Sequence, residues 1–263
     1  MLSLNKSFLI VALWLCVFGI FPSSAKDYVV GVEDVSYYPL FDFGQGRESY
    51  AKELIDEFGR QYGHTFTYLP LPIKRFSKWL IEEQIDFKYP DNVRWNASQT
   101  AHETFIFSDS TIRLVAGTIT VADKPMPKDR LKVLGTLLGF YPTLWINEIK
   151  RKEVTLYESS ATLVLLQNVL RGQVDAIDIE PSVVMHHLKR LGRPNALALN
   201  TNYKFEVYDY YLSTIRHGDV IAEFNQFLKD NQAYLIKLRK KYEIFDHRPY
   251  EVMQKTVRLR ATQ

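Results

Sequence analysis

The chain has 263 residues and a formal net charge of +3 at pH 7, so it lacks the strong basic excess of a nucleic-acid-binding protein. Its length allows one large domain or two lobes. Aromatic residues make up 14% of the chain, which supports a substantial core and could also supply stacking surfaces in a cleft. We therefore expect a globular protein with no nucleic-acid partner.

The N-terminus has the pattern of a secretory signal peptide. An uncharged apolar run of 14 residues, 8–21, follows Lys6 and leads into small residues that end at Ala25. The run is shorter than the roughly 18 residues expected of a membrane-spanning helix. We predict that residues 1–25 are a signal peptide cleaved after Ala25 and that the mature protein is periplasmic; a retained anchor is the alternative. The only cysteine, Cys16, lies in this run, so the mature chain would have no disulfide.

The mature chain begins with the pattern of a strand, a helix and a second strand. Residues 28–32 are apolar and β-branched, as in a buried strand. Apolar residues then recur at helical spacing from Tyr50 to Tyr62, and Gly63 follows as a stop signal. Residues 65–69, bounded by prolines, predict the second strand.

A further helix and strand follow, and then a strand that could cross between lobes. Residues 76–84 predict the helix, and residues 85–90 predict a strand that runs into the polar loop Asp91-Asn92. Residues 114–121 form an apolar strand before a proline-rich loop, which makes this strand a candidate connection between lobes.

A second α/β set begins after that loop. Residues 131–135 predict a strand, and Pro142 marks the first turn of a helix after it. Residues 154–157 predict another strand. Residues 208–215 predict a strand that could cross back, and two helices complete the fold.

The most informative stretch of the second set is VLRGQVDAIDIEP, residues 169–181. Gly172 stands where a helix C-terminus favours a left-handed residue. Residues 174–179 are short, apolar and β-branched, so they predict a strand covered on both faces. Glu180 then falls at the carboxyl end of that strand, which is the edge where open α/β sheets bind ligands.

A similar pattern of helix, turn, aliphatic residue, aspartate, strand and loop occurs around Asp86 and around Asp175. Two such units indicate two lobes with a cleft between them. The predicted division is a signal peptide at 1–25, a first lobe from 26–115 plus 212–245, a second lobe from 116–211 and a C-terminal tail at 246–263.

The order of these parts resembles the family 3 periplasmic solute-binding proteins that serve amino-acid ABC transporters. The segments that carry the resemblance are Val29-Val30-Gly31-Val32 with Tyr38-Pro39-Leu40-Phe41, Ile85-Asp86, Phe107-Ser108-Asp109, and Val174-Asp175-Ala176-Ile177 with Glu180-Pro181. The resemblance implies an α/β, two-lobed, periplasmic-binding-protein type II fold with two crossing strands and a ligand cleft between the lobes. It also implies capture of a small polar solute by lobe closure, by a monomer that uses no cofactor and has an inner-membrane ABC permease as a possible partner.

The resemblance also implies roles for several residues. Glu180 stands where the family holds the α-amino group of its ligand, and Tyr38 or Phe41 resembles the aromatic residue of the first loop. The glycine turn at 139–141 resembles one whose backbone N–H groups could bind a carboxylate. The sequence departs from the family at Ala101, where an arginine normally grips the carboxylate, and Arg94 is the nearest substitute.

Each candidate has an ordinary structural alternative. Glu180 could cap a helix, and Arg94 could lie on the surface. Asp91 and Asn92 could contact a ligand, although an Asp-Asn pair is also common in turns. Tyr38, Trp95 and Tyr141 could form stacking walls, although most aromatic residues belong to the core.

Two other functional classes remain open from the sequence. One is a sensory receptor that binds a solute without transport. The other is a periplasmic, dehydratase-like enzyme on the same scaffold, with Glu180 or Glu33 as a general acid. Neighbouring histidines such as His186 and His187 point to different faces of a helix, so no metal site is predicted.

Overall fold

A computed structural model of the protein describes residues 26–96, 104–122, 124, 126–127 and 130–261. The predicted signal peptide, residues 1–25, and Ala101 lie outside the described residues. Within the described residues, every helix is too short or too polar to span a membrane.

The described residues form ten strands, eight α-helices and three short 3₁₀ helices. The strands are β1 Lys26–Glu33, β2 His64–Leu71, β3 Phe87–Asp91, β4 Ile106–Phe107, β5 Ile112–Val121, β6 Val133–Leu137, β7 Thr155–Ser159, β8 Ala176–Asp178, β9 Leu197–Leu199 and β10 Phe205–Thr214. The α-helices are α1 Tyr50–Tyr62, α2 Trp79–Glu82, α3 Ile146–Lys150, α4 Thr162–Leu170, α5 Pro181–Arg190, α6 Gly218–Asp230, α7 Gln232–Lys241 and α8 Arg248–Ala261. The 3₁₀ helices are Phe43–Gln45, Ile73–Lys78 and Val93–Asn96.

The strands form two parallel groups that two long antiparallel strands connect. In the first group β1 lies between β2 and β3, and in the second β6 lies between β7 and β8. β10 pairs with β3, β5 pairs with β8, and β5 and β10 pair with each other. The first lobe is thus built on β2-β1-β3, the second on β8-β6-β7, and β5 and β10 are the two crossing strands. The predicted two-lobed fold is confirmed.

Both crossing strands change partners along their length. β10 pairs with β5 over residues 205–210 and with β3 from Tyr211 onwards, where the register shifts. β5 pairs with β10 over residues 112–117 and with β8 and β9 beyond them. The predicted lobe boundaries fall inside these strands and stay predictions.

The two aspartates of the repeated sequence pattern make the same kind of contact in their respective lobes. Oδ2 of Asp86 accepts a hydrogen bond of 2.8 Å from the backbone N–H of Val29 in β1. Oδ2 of Asp175 accepts bonds of 2.8 Å from the N–H groups of Lys132 and Val133, where β6 begins. Each aspartate therefore ties the start of the third strand of its lobe to the first.

Helix α1 follows the sequence prediction from Tyr50 to its left-handed cap at Gly63. It buries an apolar face that includes Phe58, whose ring lies 4.9 Å from Phe224 of α6. Gly172 has the positive φ, 73°, expected for the residue after α4.

Two predicted helices differ from the structure. Residues 76–84 do not form one helix, because the chain runs through the 3₁₀ helix Ile73–Lys78 and then the single turn of α2. The helix predicted to begin at Pro142 begins at Ile146, because the chain first makes a turn over residues 138–145.

The segment predicted as a C-terminal tail contains helix α8, which packs on the crossing strand β10. The ring of Tyr250 lies 5.7 Å from that of Phe205, and the backbone N–H of Val207 donates to Gln254 Oε1 at 3.3 Å. Arg113 of β5 lies 3.6 Å from Glu251.

Candidate functional site

A cavity of about 550 Å³ lies between the lobes, at the carboxyl ends of their parallel strands. Its walls come from the ends of β1, β6 and β8, from the 3₁₀ helices Ile73–Lys78 and Val93–Asn96, and from residues of the crossing strands β5 and β10. Its volume lies within the usual range for small-molecule sites. The lining residues are Glu33, Tyr37, Ile73, Lys74, Phe76, Ser77, Arg94, Trp95, Ala116, Thr136, Gly139, Phe140, Tyr141, Thr143, Asp178, Ile179, Glu180, Glu206, Tyr208 and Tyr210.

The first lobe contributes a buried carboxyl group at the end of β1. Glu33 is only 5% exposed, and no described residue forms a hydrogen bond with its Oε2. Burial and, to a smaller extent, the nearby Asp91 raise the pKa of Glu33 to about 8, against the opposite effect of Lys88. A carboxyl group in this state can hold a proton or receive a positively charged ligand group.

The second lobe contributes two carboxyl groups after β8. Burial raises the pKa of Asp178 to about 7, and Glu206 adds to the shift. Burial also raises the pKa of Glu180 to about 7, against the hydrogen bonds that its carboxylate accepts. Those bonds come from the N–H groups of Ser182 at 2.6 Å and Val183 at 3.3 Å. Glu180 therefore caps helix α5 as well as lining the cavity.

β10 presents a carboxylate and two aromatic rings to the cavity from alternate positions, Glu206, Tyr208 and Tyr210. Glu206 Oε2 lies 2.6 Å from Nη1 of Arg94, and its Oε1 accepts a bond of 3.1 Å from the hydroxyl group of Thr143. The ring of Tyr210 lies 5.5 Å from Tyr208 and 5.7 Å from Trp95.

The two lobes touch across the cavity. The backbone N–H of Glu180 donates to Tyr37 Oη at 2.8 Å, and the ring of Tyr37 lies 5.2 Å from that of Phe140. Gly139 has φ of 88°, and a Cβ there would lie only 3.3 Å from the Cβ of Ile73 in the other lobe. A side chain at this position would be strained by the positive φ and would crowd Ile73.

Four of the eight predicted site residues line the cavity, namely Arg94, Trp95, Tyr141 and Glu180. Arg94 reaches the site in an ion pair with Glu206 and is 47% exposed. Tyr141 is 65% exposed, so it lies at the margin of the cavity. Their contact with a ligand stays a prediction.

The two predicted residues of the first aromatic loop do not line the cavity. Phe41 is fully buried in the core, where its ring lies 5.2 Å from that of Tyr37. The ring of Tyr38 stacks under the Arg47 guanidinium at 3.6 Å and lies 4.4 Å from His186. Their neighbour Tyr37 is the aromatic residue of this loop that faces the cavity.

The predicted polar contacts Asp91 and Asn92 are also absent from the cavity lining. Asp91 is fully buried, lies 3.0 Å from the Lys88 ammonium and accepts a bond of 2.5 Å from Ser213 Oγ. Asn92 Oδ1 accepts a bond of 3.0 Å from the backbone N–H of Arg94. Both side chains shape the end of β3 from within the core.

The glycine turn lines the cavity, but its first two N–H groups already have acceptors. The N–H of Gly139 donates to Glu158 Oε1, and that of Phe140 donates to the carbonyl of Leu137, both at 2.9 Å. These two N–H groups are therefore not free to bind a ligand carboxylate, as the sequence predicted for this turn.

Sequence reasoning missed several lining residues that a simple signal could have found. Glu206, Tyr208 and Tyr210 follow the period-two pattern of one strand face, which is a signal present in the sequence. Asp178 ends β8 and belongs to the apolar run that predicts this strand. The sequence suggests Glu33 only as a general acid in the enzyme alternative.

No protein-family model matches the chain, and no curated protein matches it. Solved structures do match, at low sequence identity. An ancestral arginine-binding protein bound to arginine is 16% identical, with a TM-score of 0.65 over 82% of this chain and 97% of that one. An arginine transport-system periplasmic binding protein from Legionella pneumophila is 15% identical, with a TM-score of 0.60 over 83% and 100%.

A third match is an ancestral amino-acid-binding protein described as a precursor of cyclohexadienyl dehydratase. It is 17% identical, with a TM-score of 0.61 over 82% of this chain and 95% of that one. At these identities the likeness establishes the fold alone. The chain has the two-lobed fold of periplasmic binding proteins, and its structural neighbours include binding proteins of amino-acid ABC transporters.

Proposed function

We propose that the protein is an extracytoplasmic solute-binding protein that captures a small polar solute, amino-acid-like or related, by closure of its lobes. The observation that carries this proposal is the cavity of about 550 Å³ between the lobes, with carboxylates and aromatic rings contributed from both sides. A ligand in this position would touch both lobes at once and would therefore favour the closed arrangement.

The fold and its structural neighbours support a wider role in transport. The neighbours include an ancestral arginine-binding protein bound to arginine, a periplasmic binding protein of an arginine transport system, and a substrate-binding protein of an ABC uptake transporter with bound histidine. We propose that this chain likewise delivers its ligand to an inner-membrane ABC permease, as a periplasmic monomer with residues 1–25 removed. A sensory receptor without transport is the alternative. Deletion of the gene for this protein distinguishes the two, since uptake of labelled ligand is lost for a transport protein and unchanged for a sensory receptor.

The proposal is tested by finding the ligand. The protein lacking residues 1–25 is purified natively, denatured, and analysed by mass spectrometry for released small molecules. Compounds identified in this way are added back to refolded protein, where a hundredfold excess over Kd should stabilise it by about 2.7 kcal/mol. A protein that releases no small molecule, and that no amino acid or amine stabilises, would contradict a solute-binding function.

We expect that loss of the hydrogen bond between Tyr37 and Glu180 weakens ligand binding, because this bond joins the two lobes. Tyr37→Phe removes the acceptor of the Glu180 N–H across the cavity. Since an unsatisfied buried N–H costs about 1–3 kcal/mol, affinity should fall by about tenfold in titration calorimetry. Tyr203→Phe is the matched control, because that hydroxyl donates to the Pro127 carbonyl within the second lobe, away from the cavity. Equal effects of the two variants would show that the Tyr37 contact plays no part in closure.

One observation favours an enzyme as the second candidate. Burial raises the pKa of Glu33 to about 8, so at neutral pH this carboxyl group could act as a general acid in the cavity. One structural neighbour is a precursor of a dehydratase. Incubation of the purified protein with the released compound distinguishes the candidates, since an enzyme converts it and a receptor returns it unchanged.

A further inference from the structure

The charges around the cavity are unequal. Four carboxyl groups and two cationic side chains of the described residues line it: Glu33, Asp178, Glu180, Glu206, Lys74 and Arg94. Arg94, the arginine among them, is already paired with Glu206 at 2.6 Å. Residues 97–103, which the structure does not describe, contain no lysine or arginine in the sequence.

Apart from the exposed Lys74, the groups that would bind an anion are largely engaged within the protein. Two N–H groups of the glycine turn, those of Gly139 and Phe140, donate to Glu158 and Leu137. At the start of α5, the N–H groups of Ser182 and Val183 donate to the carboxylate of Glu180. A ligand carboxylate would therefore compete with contacts that already exist, and its burial without new partners would be costly.

The cavity also contains groups that could bind a cation. Glu33 lines the cavity and is only 5% exposed, and its Oε2 has no hydrogen-bond partner among the described residues. Asp178 faces the cavity from the other lobe. Carboxylates on opposite sides suit a molecule that carries positive charge, because each can form a charge-assisted hydrogen bond with an N–H group.

The remaining walls also suit an organic cation. Aromatic residues from both lobes and from β10 line the cavity: Tyr37, Phe76, Trp95, Phe140, Tyr208 and Tyr210. The negative face of an aromatic ring attracts ammonium and guanidinium groups, and the rings bury the apolar chain between such groups.

We propose that the ligand is an organic amine or guanidine, held by Glu33 and Asp178, and that its binding requires no α-carboxylate. This inference rests on the proposed solute-binding function and names the class of solute. The proposed ligand differs from an amino acid in one testable respect. Its binding depends on its positive group and not on an α-carboxylate.

Matched ligand pairs test this point. Agmatine is compared with L-arginine and cadaverine with L-lysine, since each pair differs only in the α-carboxylate, and L-glutamate is added as an anion. Titration calorimetry on refolded protein should show each amine binding at least about tenfold more tightly than its parent amino acid, because the parent's carboxylate must be buried with the exposed Lys74 as its one unpaired cationic neighbour among the described lining residues. L-Glutamate should not bind.

Variants connect the result to the site. Glu33→Gln and, separately, Asp178→Asn should each weaken amine binding by about tenfold or more, since each removes one charge-assisted bond. Asp42→Asn is the matched control: Asp42 is 3% exposed and its Oδ1 also lacks a partner among the described residues, but it does not line the cavity. The Asp42→Asn variant should bind the amine with the same affinity as the wild type.

The outcomes separate the two proposals. Tighter binding of either amino acid than of its amine, or binding of L-glutamate, would overturn the cation inference and leave solute binding intact. The cation inference would also be overturned, with solute binding intact, by release of a compound without a positive group from the native protein. An effect of Asp42→Asn on binding as large as that of the two cavity variants would have the same consequence. Failure of every compound to bind, with nothing released from the native protein, would overturn both.

Discussion

Between about pH 6.5 and about pH 8, the free energy of unfolding of the ligand-free protein should fall by about 2 kcal/mol. Burial raises the pKa of Glu33 from its ordinary 4.5 to about 8, and raises the pKa of Asp178 and Glu180 to about 7. In this range the folded protein holds protons that the unfolded chain has already lost. Raising the pH therefore favours unfolding, by up to about 1.4 kcal/mol per pH unit for each carboxyl group.

The lower limit of this range is set by the histidines. Burial lowers the pKa of His186 to about 4 and also lowers the pKa of His187 and His247. These groups bind protons in the unfolded chain before they do so in the folded protein, so they make stability rise with pH up to their ordinary value of 6.5. Above that value the histidine effect diminishes, and the carboxyl trend outweighs it.

Urea unfolding at several pH values measures the effect, and two variants test its origin. Glu33→Gln should remove at least half of the fall, because the raised pKa of Glu33 extends over the whole range. Glu153→Gln is the control, since Arg151 lowers the pKa of this exposed carboxyl group and keeps it ionised in both states. A stability curve that is flat in this range, or unchanged by Glu33→Gln, would show that Glu33 is ionised in the ligand-free protein.

The second large effect is expected from the buried ion pair of Lys88 and Asp91. Their side chains are 1% and 0% exposed and lie 3.0 Å apart. Asp91→Asn removes the negative charge that faces the Lys88 ammonium inside the core. We expect a loss of about 3–5 kcal/mol of unfolding free energy, because one partner of a buried pair is removed while the other charge stays buried.

An exposed pair of the same kind supplies the control. Lys189 and Glu243 lie 2.7 Å apart, and both are 66% exposed. Glu243→Gln should change the unfolding free energy by less than about 1 kcal/mol. The double variant Lys88→Met, Asp91→Asn should lose less than the sum of its single variants, because it leaves no buried charge at the pair. A loss for Asp91→Asn as small as that for Glu243→Gln would instead favour the ligand contact that the sequence predicted.

Most of the architecture could be predicted because it depends on local patterns. Helix α1 follows from its apolar spacing and Gly63, and β8 follows from a short β-branched run. The repeated aspartates at 86 and 175 indicated two related lobes, and the structure shows that each ties two strands of its lobe together. Such signals can be read from one sequence because the residues that determine them are close together in the chain.

Site residues were harder to predict because neighbouring side chains point in different directions. Tyr37 faces the cavity, whereas Tyr38 packs on Arg47 and Phe41 lies in the core. Asp91 carries the charge expected of a ligand contact, but Lys88 and Ser213 engage it inside the protein. No spacing rule distinguishes these cases, since the direction of each side chain depends on contacts with distant segments.

The sequence by itself determined the class of fold, the positions of the main helices and strands, and the placement of Glu180 at the carboxyl end of β8. The tertiary structure alone decided which groups share the cavity. It brought Glu33 from β1, Asp178 from β8 and Glu206 from β10 to one site, and it paired Arg94 with Glu206. The physical reason is that local spacing determines secondary structure, whereas the charge balance of a site depends on residues that only folding brings together.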